Sequence, residues 1–203
     1  MDGRLDPDDL DPSDLERFRR GDPRGLEAVY RVHGARVQRT CLALLGNRSD
    51  AEDAAQEVFL RAFEHAGQFE GGSKLSTWLH RIAVNHCLHK KEKEGLRRAE
   101  PIEEALRSSL ASERDAPHEV AGARDAREVL LERLGRLSEE HRTILVLREI
   151  DGLAYEEIAG VLGVPPGTVM SRLARARERW LELVPRDPSG ARAAAGAARR
   201  NGR

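Results

Sequence analysis

The sequence predicts an all-α protein: two small helical domains joined by a flexible linker, the C-terminal one a helix-turn-helix. Three observations carry that expectation. Ala, Leu, Arg and Glu dominate, all strong helix formers, and no β-branched run alternates with a period of two. Aromatic residues are 4% and charged residues 34% of the 203 positions, which suits two small cores better than one large one. Between residues 97 and 123 helical periodicity lapses among Pro101, Pro117 and Gly122, dividing the chain in two.

The elements follow in order. Residues 1–12 are acidic and broken by Pro, the composition of a disordered terminus. The first domain is read as residues 13–96. Leu15, Phe18, Leu26, Val29, Tyr30 and Val32 have helical spacing, and Gly21-Asp22-Pro23 splits the stretch into two helices, the second reaching about Leu45. Gly46 to Ser49 is a turn, with Ser49 and Glu52 forming a capping box for the next helix. That helix gathers Ala54, Ala55, Val58, Phe59, Ala62 and Phe63 in one stripe, with Glu52, Asp53, Gln56, Glu57 and Arg61 opposite. After a loop at 67–73, Leu75, Trp78, Leu79, Ile82, Ala83 and His86 share the face of a helix that ends in Lys90-Lys91-Glu92-Lys93.

The mixed-charge linker at 97–123 lets the two domains move independently. The second domain, residues 124–184, has helices near 124–135, 138–150, 154–162 and 166–184. Ser138 caps the second of these and Pro185 stops the last. The tail at 185–203 is rich in Ala, Gly and Arg and reads as disordered and basic.

A net charge of -1 argues against a nucleic-acid partner only until its distribution is read. Asp2, Asp6, Asp8, Asp9, Asp11, Asp14 and Glu16 face Arg4 alone near the N-terminus. Arg81, Lys90, Lys91, Lys93, Arg97 and Arg98 outnumber Glu92 and Glu94, and Arg172, Arg175, Arg177, Arg179 and Arg186 outnumber Glu178 and Glu182. Phosphate binding responds to the potential within a Debye length, about 8–10 Å, so opposed blocks are compatible with DNA contact at two places.

Other classes are excluded by absences in the sequence. No G-x-x-x-x-G-K-[ST], H-E-x-x-H or G-x-S-x-G occurs, so an enzyme is not expected. Cys41 and Cys87, far apart in the chain, provide no disulfide framework and point to a reducing compartment. Cys87 points away from the face that His86 and His89 share, so neither a metal nor any other cofactor is expected. No apolar run approaches the roughly 18 residues of a membrane span, and the acidic N-terminus lacks a signal peptide's apolar core. The expected location is cytoplasmic.

The most specific motif runs from Tyr155 to Trp180. A short helix buries Ile158, Ala159 and Leu162, Gly163 makes the turn, and Pro165 or Pro166 takes the first helical position. At 100° per residue from Ser171, Val169, Leu173, Ala176, Trp180 and Leu183 fall at about 120° to 200°. Thr168, Ser171, Arg172, Arg175 and Arg179 fall at about 0° to 100°. One face is core. The other carries the residue types that bond phosphates and base edges, as a recognition helix does. The residues alone point to a DNA-binding helix-turn-helix and are met by an ordinary regulator that binds duplex DNA by itself, with residues 13–96 as an effector or dimerisation domain.

Gly167-Thr-Val-Met-Ser-Arg-Leu-Ala-Arg-Ala-Arg177 and Leu147-Arg-Glu-Ile-Asp-Gly-Leu-Ala-Tyr-Glu-Glu-Ile-Ala159 resemble the promoter-reading end of bacterial extracytoplasmic-function (ECF) sigma factors. Asp50-Ala-Glu-Asp-Ala-Ala-Gln-Glu-Val-Phe-Leu-Arg-Ala-Phe63 resembles the family's polymerase-clamp helix, and Thr77-Trp-Leu-His-Arg-Ile-Ala-Val-Asn85 its −10 helix. The resemblance implies that Asp53, Gln56 and Glu57 face the clamp of the largest polymerase subunit. It implies −10 recognition and melting by Trp78, Arg81 and Asn85, and −35 reading by Thr168, Ser171, Arg172 and Arg175. An Asn can bond an extruded base edge, an Arg can hold phosphate, and a Trp can stack or simply pack. The implied partners are core RNA polymerase, through that clamp and the flap of the second-largest subunit, promoter DNA and, where one exists, an anti-sigma factor. The chain departs from the family pattern at Leu75, where an aromatic is usual, at Met170, where Lys or Arg is usual, and after Asn85, where His86-Cys-Leu-His replaces the customary Asp and Arg.

Overall fold

A computed structural model describes residues 10–97 and 121–184, and among them every regular element is helical. Of the acidic terminus expected to be disordered at 1–12, residues 10–12 are ordered, with Leu10 packed against the core, Asp11 capping the first helix and Pro12 starting it, while residues 1–9, most of the linker and the tail from 185 lie outside the described residues. The N-terminal unit comprises α1 (Pro12–Arg19), α2 (Pro23–Leu45), α3 (Arg48–Glu64), a 3-10 turn (Ala66–Gln68) and α4 (Leu75–Arg97). The C-terminal unit comprises α5 (Ala121–Gly135), α6 (Glu139–Leu145), a π turn (Val146–Ile150), α7 (Tyr155–Leu162) and α8 (Pro166–Leu183).

Local chemistry sets most boundaries. The Asp11 and Asp22 carboxylates accept from the backbone N–H of Ser13 and Arg24 at 2.8 and 2.9 Å, and each is followed by Pro at the first helical position. Gly25 lets α2 cross α1 closely, because a Cβ there would lie 2.2 Å from the Phe18 nitrogen.

Two expectations are corrected. Helix α3 starts earlier than a Ser49 cap would place it. Its N-cap is Asn47, whose side chain accepts from the Asp50 N–H at 2.8 Å and donates to the Asp50 carboxylate. Ser49 therefore falls inside the first turn, and Glu52 pairs with Arg48 at 2.8 Å. The helix expected at 138–150 keeps its Ser138 cap but widens after Leu145 into the π turn. That turn closes with the Asp151 N–H bonded to the Val146 carbonyl at 3.0 Å.

The two units are docked, where the sequence suggests independent motion. Their buried apolar side chains form one continuous cluster, from Phe18, Val29, Val58 and Leu79 to Ile144, Leu147, Ile158 and Leu173. Helix α4 packs against α7, and α2 against the π turn. The seam is tied by polar side chains. The Thr40 hydroxyl is 2.9 Å from the Asp151 carboxylate, and His80 Nε2 is 3.4 Å from it. Arg142 donates to Leu44 O of α2 at 3.0 Å and to the carbonyls of Leu134, Gly135 and Leu137 in its own unit. Burial lowers the pKa of this guanidinium, and its carbonyl partners compensate for the water it has lost. Lys74 and Glu157 add an exposed pair at 3.3 Å.

Candidate nucleic-acid interface

Helix α8 is built as its spacing predicts. Gly163 ends α7 with φ at +66°, a left-handed conformation that costs glycine no Cβ clash. Pro165 is the extended N-cap and Pro166 the first helical residue. Val169, Leu173 and Ala176 are buried, with Trp180 and Leu183 partly so. Of the inner residues expected on α7, Ile158 and Ala159 are buried, while Leu162 is only partly covered and Val161 is buried instead. On the outer face Ser171 and Arg175 are exposed and Thr168 is half-buried.

The structure adds an acid that the sequence could not place on this face. Glu140 of α6 reaches Arg172 at 2.6 Å, leaving that Arg side chain 30% exposed. Arg177 is likewise held by Glu149 at 2.6 Å, and Arg179 by Glu182. Such part-exposed pairs are worth about 0–1 kcal/mol, so a phosphate or base edge can displace them. Only Glu140's place in the first turn of α6 was visible in the sequence, and that position has the ordinary explanation of matching the helix dipole.

Helix α4 carries the second candidate set. Arg81 and Asn85 are exposed. Trp78 is half-buried, its ring 5.5 Å from that of Phe69 and edge-on to Phe18 at 6.5 Å, so it packs in this arrangement. Asn85 lines a groove with Leu88, His89 and Glu92, and Glu139 of the docked unit forms its far wall. Lys90, expected at the basic end of the helix, pairs with Asp50 at the start of α3 at 2.6 Å.

The third set lies on α3. Asp53 and Gln56 are exposed, and Glu57 pairs with Arg61 at 2.7 Å, which lowers its pKa. Leu60, one turn beyond Gln56, is 56% exposed, and so is Tyr30, which lies edge-on to Phe59 at 5.0 Å. Sequence reasoning missed both. The signal was an apolar residue in the polar register of α3. A surface mixing acids with exposed apolar groups suits a protein partner and repels phosphate.

His86, Cys87 and His89 diverge. His86 is half-buried near Arg61 and Glu57, Cys87 is buried, and His89 is exposed beside Glu92 at 3.6 Å. No helix among the described residues is long and apolar enough to cross a membrane.

Comparison with known proteins agrees with this layout. The Sigma-70 region 2 profile matches residues 29–97, and the Sigma-70 region 4 profile matches residues 127–179. The chain is 35% identical over 171 residues to the RNA polymerase sigma-H factor of Pseudomonas aeruginosa, covering 81% of this chain and 88% of that protein. It is 31% identical over 173 residues to the ECF RNA polymerase sigma-E factor of Escherichia coli, with 81% and 88% covered. The ECF RNA polymerase sigma factor SigW of Bacillus subtilis is 29% identical over 170 residues, with 81% and 91% covered. Among solved structures, the sigma factor RpoE in complex with the anti-sigma factor NepR from Bartonella quintana superposes with a TM-score of 0.61 at 27% identity, covering 79% of this chain and 97% of that one. CnrH in complex with the cytosolic domain of CnrY has the same fold, with a TM-score of 0.64 at 23% identity and 86% and 97% covered. With both region profiles in place on either side of the linker, the chain belongs to the sigma-70 family as an ECF RNA polymerase sigma factor.

Proposed function

We propose that this sigma factor divides promoter recognition between its two helical units and acts in the cytoplasm by binding, without catalysis. In this reading residues 13–96 engage the polymerase and the −10 element, and residues 124–184 engage the −35 element. Asp53, Gln56 and Glu57 meet the clamp of the largest polymerase subunit, with Tyr30 and Leu60 adding apolar contact. Arg81 holds phosphate, Asn85 bonds an extruded base, and Trp78 supports the helix that carries them. Thr168, Ser171, Arg172 and Arg175 read the −35 duplex in the major groove. An anti-sigma factor is a further partner by similarity, since the structural relatives bear such names.

The observation that carries this reading is the two-faced build of α8, buried through Val169, Leu173 and Ala176 and exposed through Ser171 and Arg175 directly after the Gly163 turn. The test is transcription from a promoter library by core polymerase with and without the protein. Specific transcripts should depend on its addition. Reversing charge at Asp53 and Glu57 together should abolish co-purification with core while helical circular dichroism stays intact. Tight, specific duplex binding without polymerase, and no stimulation of core, would instead support an ordinary helix-turn-helix regulator.

A further inference from the structure

Helix α8 presents a side that the polar residues assigned above do not occupy. At 100° per residue from Ser171, the buried residues Val169, Leu173 and Ala176 centre on about 165°, so the line pointing straight out of the protein lies near about 345°. Gly167 and Ser171 stand within about 25° of that line, with Met170 and Thr168 about 80° to either side of it and Arg172 further round at about 115°. Gly167, Met170 and Ala174 are all exposed, Met170 with 57% of its surface. Successive turns therefore build an apolar strip, Gly167, Met170 and Ala174, alongside the polar strip of Thr168, Ser171 and Arg175. A Cβ at Gly167 would meet nothing within 4 Å, so the first turn beside Met170 is open to close approach.

A lone Met on an arbitrary surface needs no explanation. This one stands in the N-terminal half of the helix, the part that reaches base edges in a helix-turn-helix complex. It is separate from the apolar groove towards the other end of α8. Leu181 lines that groove with Leu130, Leu134 and Trp180, and Arg177, paired with Glu149, stands between Met170 and Leu181 along the helix. Chemistry then narrows the base that Met170 can recognise. A thioether donates no hydrogen bond and accepts only weakly, so it cannot read the acceptor pair of guanine or the donor and acceptor of adenine. The C5-methyl of thymine is the apolar feature that the major groove displays, and an unbranched, flexible side chain adapts to it.

We infer that Met170, flanked by Ala174, determines specificity in the −35 duplex by packing against the C5-methyl group of a thymine. This rests on the reading that α8 enters the −35 major groove, and it adds a contact that Thr168, Ser171, Arg172 and Arg175 do not supply on that side of the helix. The polar strip bonds phosphates and polar base edges, while the apolar strip selects a methylated one. Burying one such methyl is worth about fourfold in affinity.

The experiment uses core polymerase with the full-length protein. Selection from a promoter library defines the −35 element, and each of its thymines is then replaced singly by uracil, which lacks only the methyl group. Binding to the promoter fragments is read by fluorescence anisotropy. One replacement should weaken wild-type binding about fourfold. Met170→Ala should show the same loss on the thymine promoter and no further loss on the uracil one. Met170→Arg, selected against the same library, should move the preference at or beside that position to guanine. A selected −35 element without thymine, uracil replacements that are all neutral, or losses from Met170→Ala and uracil that simply add would overturn the contact. Weaker co-purification of Met170→Ala with core in the absence of DNA would overturn it in favour of a polymerase contact. Arg172→Ala separates the two levels. If it alters the selected −35 element while Met170→Ala does not, the duplex reading of α8 stands and the thymine contact fails; if no −35 element is selected at all, both fail.

Discussion

The Asp151 carboxylate lies 2.9 Å from the Thr40 hydroxyl, a buried hydrogen bond between side chains 111 positions apart. It joins the turn before the helix-turn-helix to the C-terminal part of α2, and His80 of α4 approaches the same oxygen at 3.4 Å. The two helical units are therefore held together through a buried carboxylate, which is costly without its partners.

Replacing Thr40 by Val keeps the shape and removes that donor. The lost bond should cost about 1–3 kcal/mol, taken mainly from docking. Small-angle scattering should show a larger radius of gyration and proteolysis should cut faster between the units. A scattering curve superimposable on wild type would mean that the bond does not hold the seam.

Arg172 should respond to two different changes. Arg172→Ala should weaken binding to a −35 duplex by about 1–3 kcal/mol and relax specificity at one position if the side chain reaches a base edge. Glu140→Ala removes its 2.6 Å partner and should tighten binding severalfold. Fluorescence anisotropy at several salt concentrations measures both. Loss from Arg172→Ala that is uniform across sequences, with a shallower salt slope, would identify a phosphate contact. Indifference to both substitutions would remove Arg172 from the interface.

Asn85 should matter at a later step. Extruding a base costs a few kcal/mol, which contacts to that base recover. Asn85→Ala should leave closed-complex formation nearly intact and slow opening, read as reduced permanganate reactivity of −10 thymines. Normal opening of duplex promoters would leave Asn85 as a helix surface residue. Equal failure on duplex and premelted templates would assign it base reading without a part in melting.

His86 gives a pH signature. Burial first, and then Arg61, hold this imidazole below its ordinary value, against the opposing pull of Glu57. The unfolded chain therefore binds the proton more readily. The stability involved is complete above the ordinary imidazole value of about 6.5 and is lost as pH falls from there through the folded value. His86→Gln should flatten the decline in melting temperature between about pH 7 and 5. The same slope in variant and wild type would disprove the assignment.

Helix positions were largely legible because their causes lie within a turn or two. Asp22 before Pro23, Ser138 before Glu139 and Gly163 after Leu162 act on neighbouring backbone, and the structure retains all three. The failure at Ser49 was also local. Two capping side chains stood two positions apart, and Asn47 won by exchanging bonds with Asp50. The π turn was not legible, since nothing in its local pattern distinguishes it from α-helix.

By itself the sequence determined which residues share a face: Val169 with Leu173 and Ala176, Ser171 with Arg175, and Asp53 with Gln56. A helix turns through a constant angle per residue, and that angle needs no knowledge of the rest of the chain. Only the tertiary structure decided which faces meet: Glu140 against Arg172, Lys90 against Asp50, Asp151 against Thr40. Those pairings arise from burying apolar surface between units, a force without direction or sequence range, and the polar partners are fixed where the packed surfaces leave them.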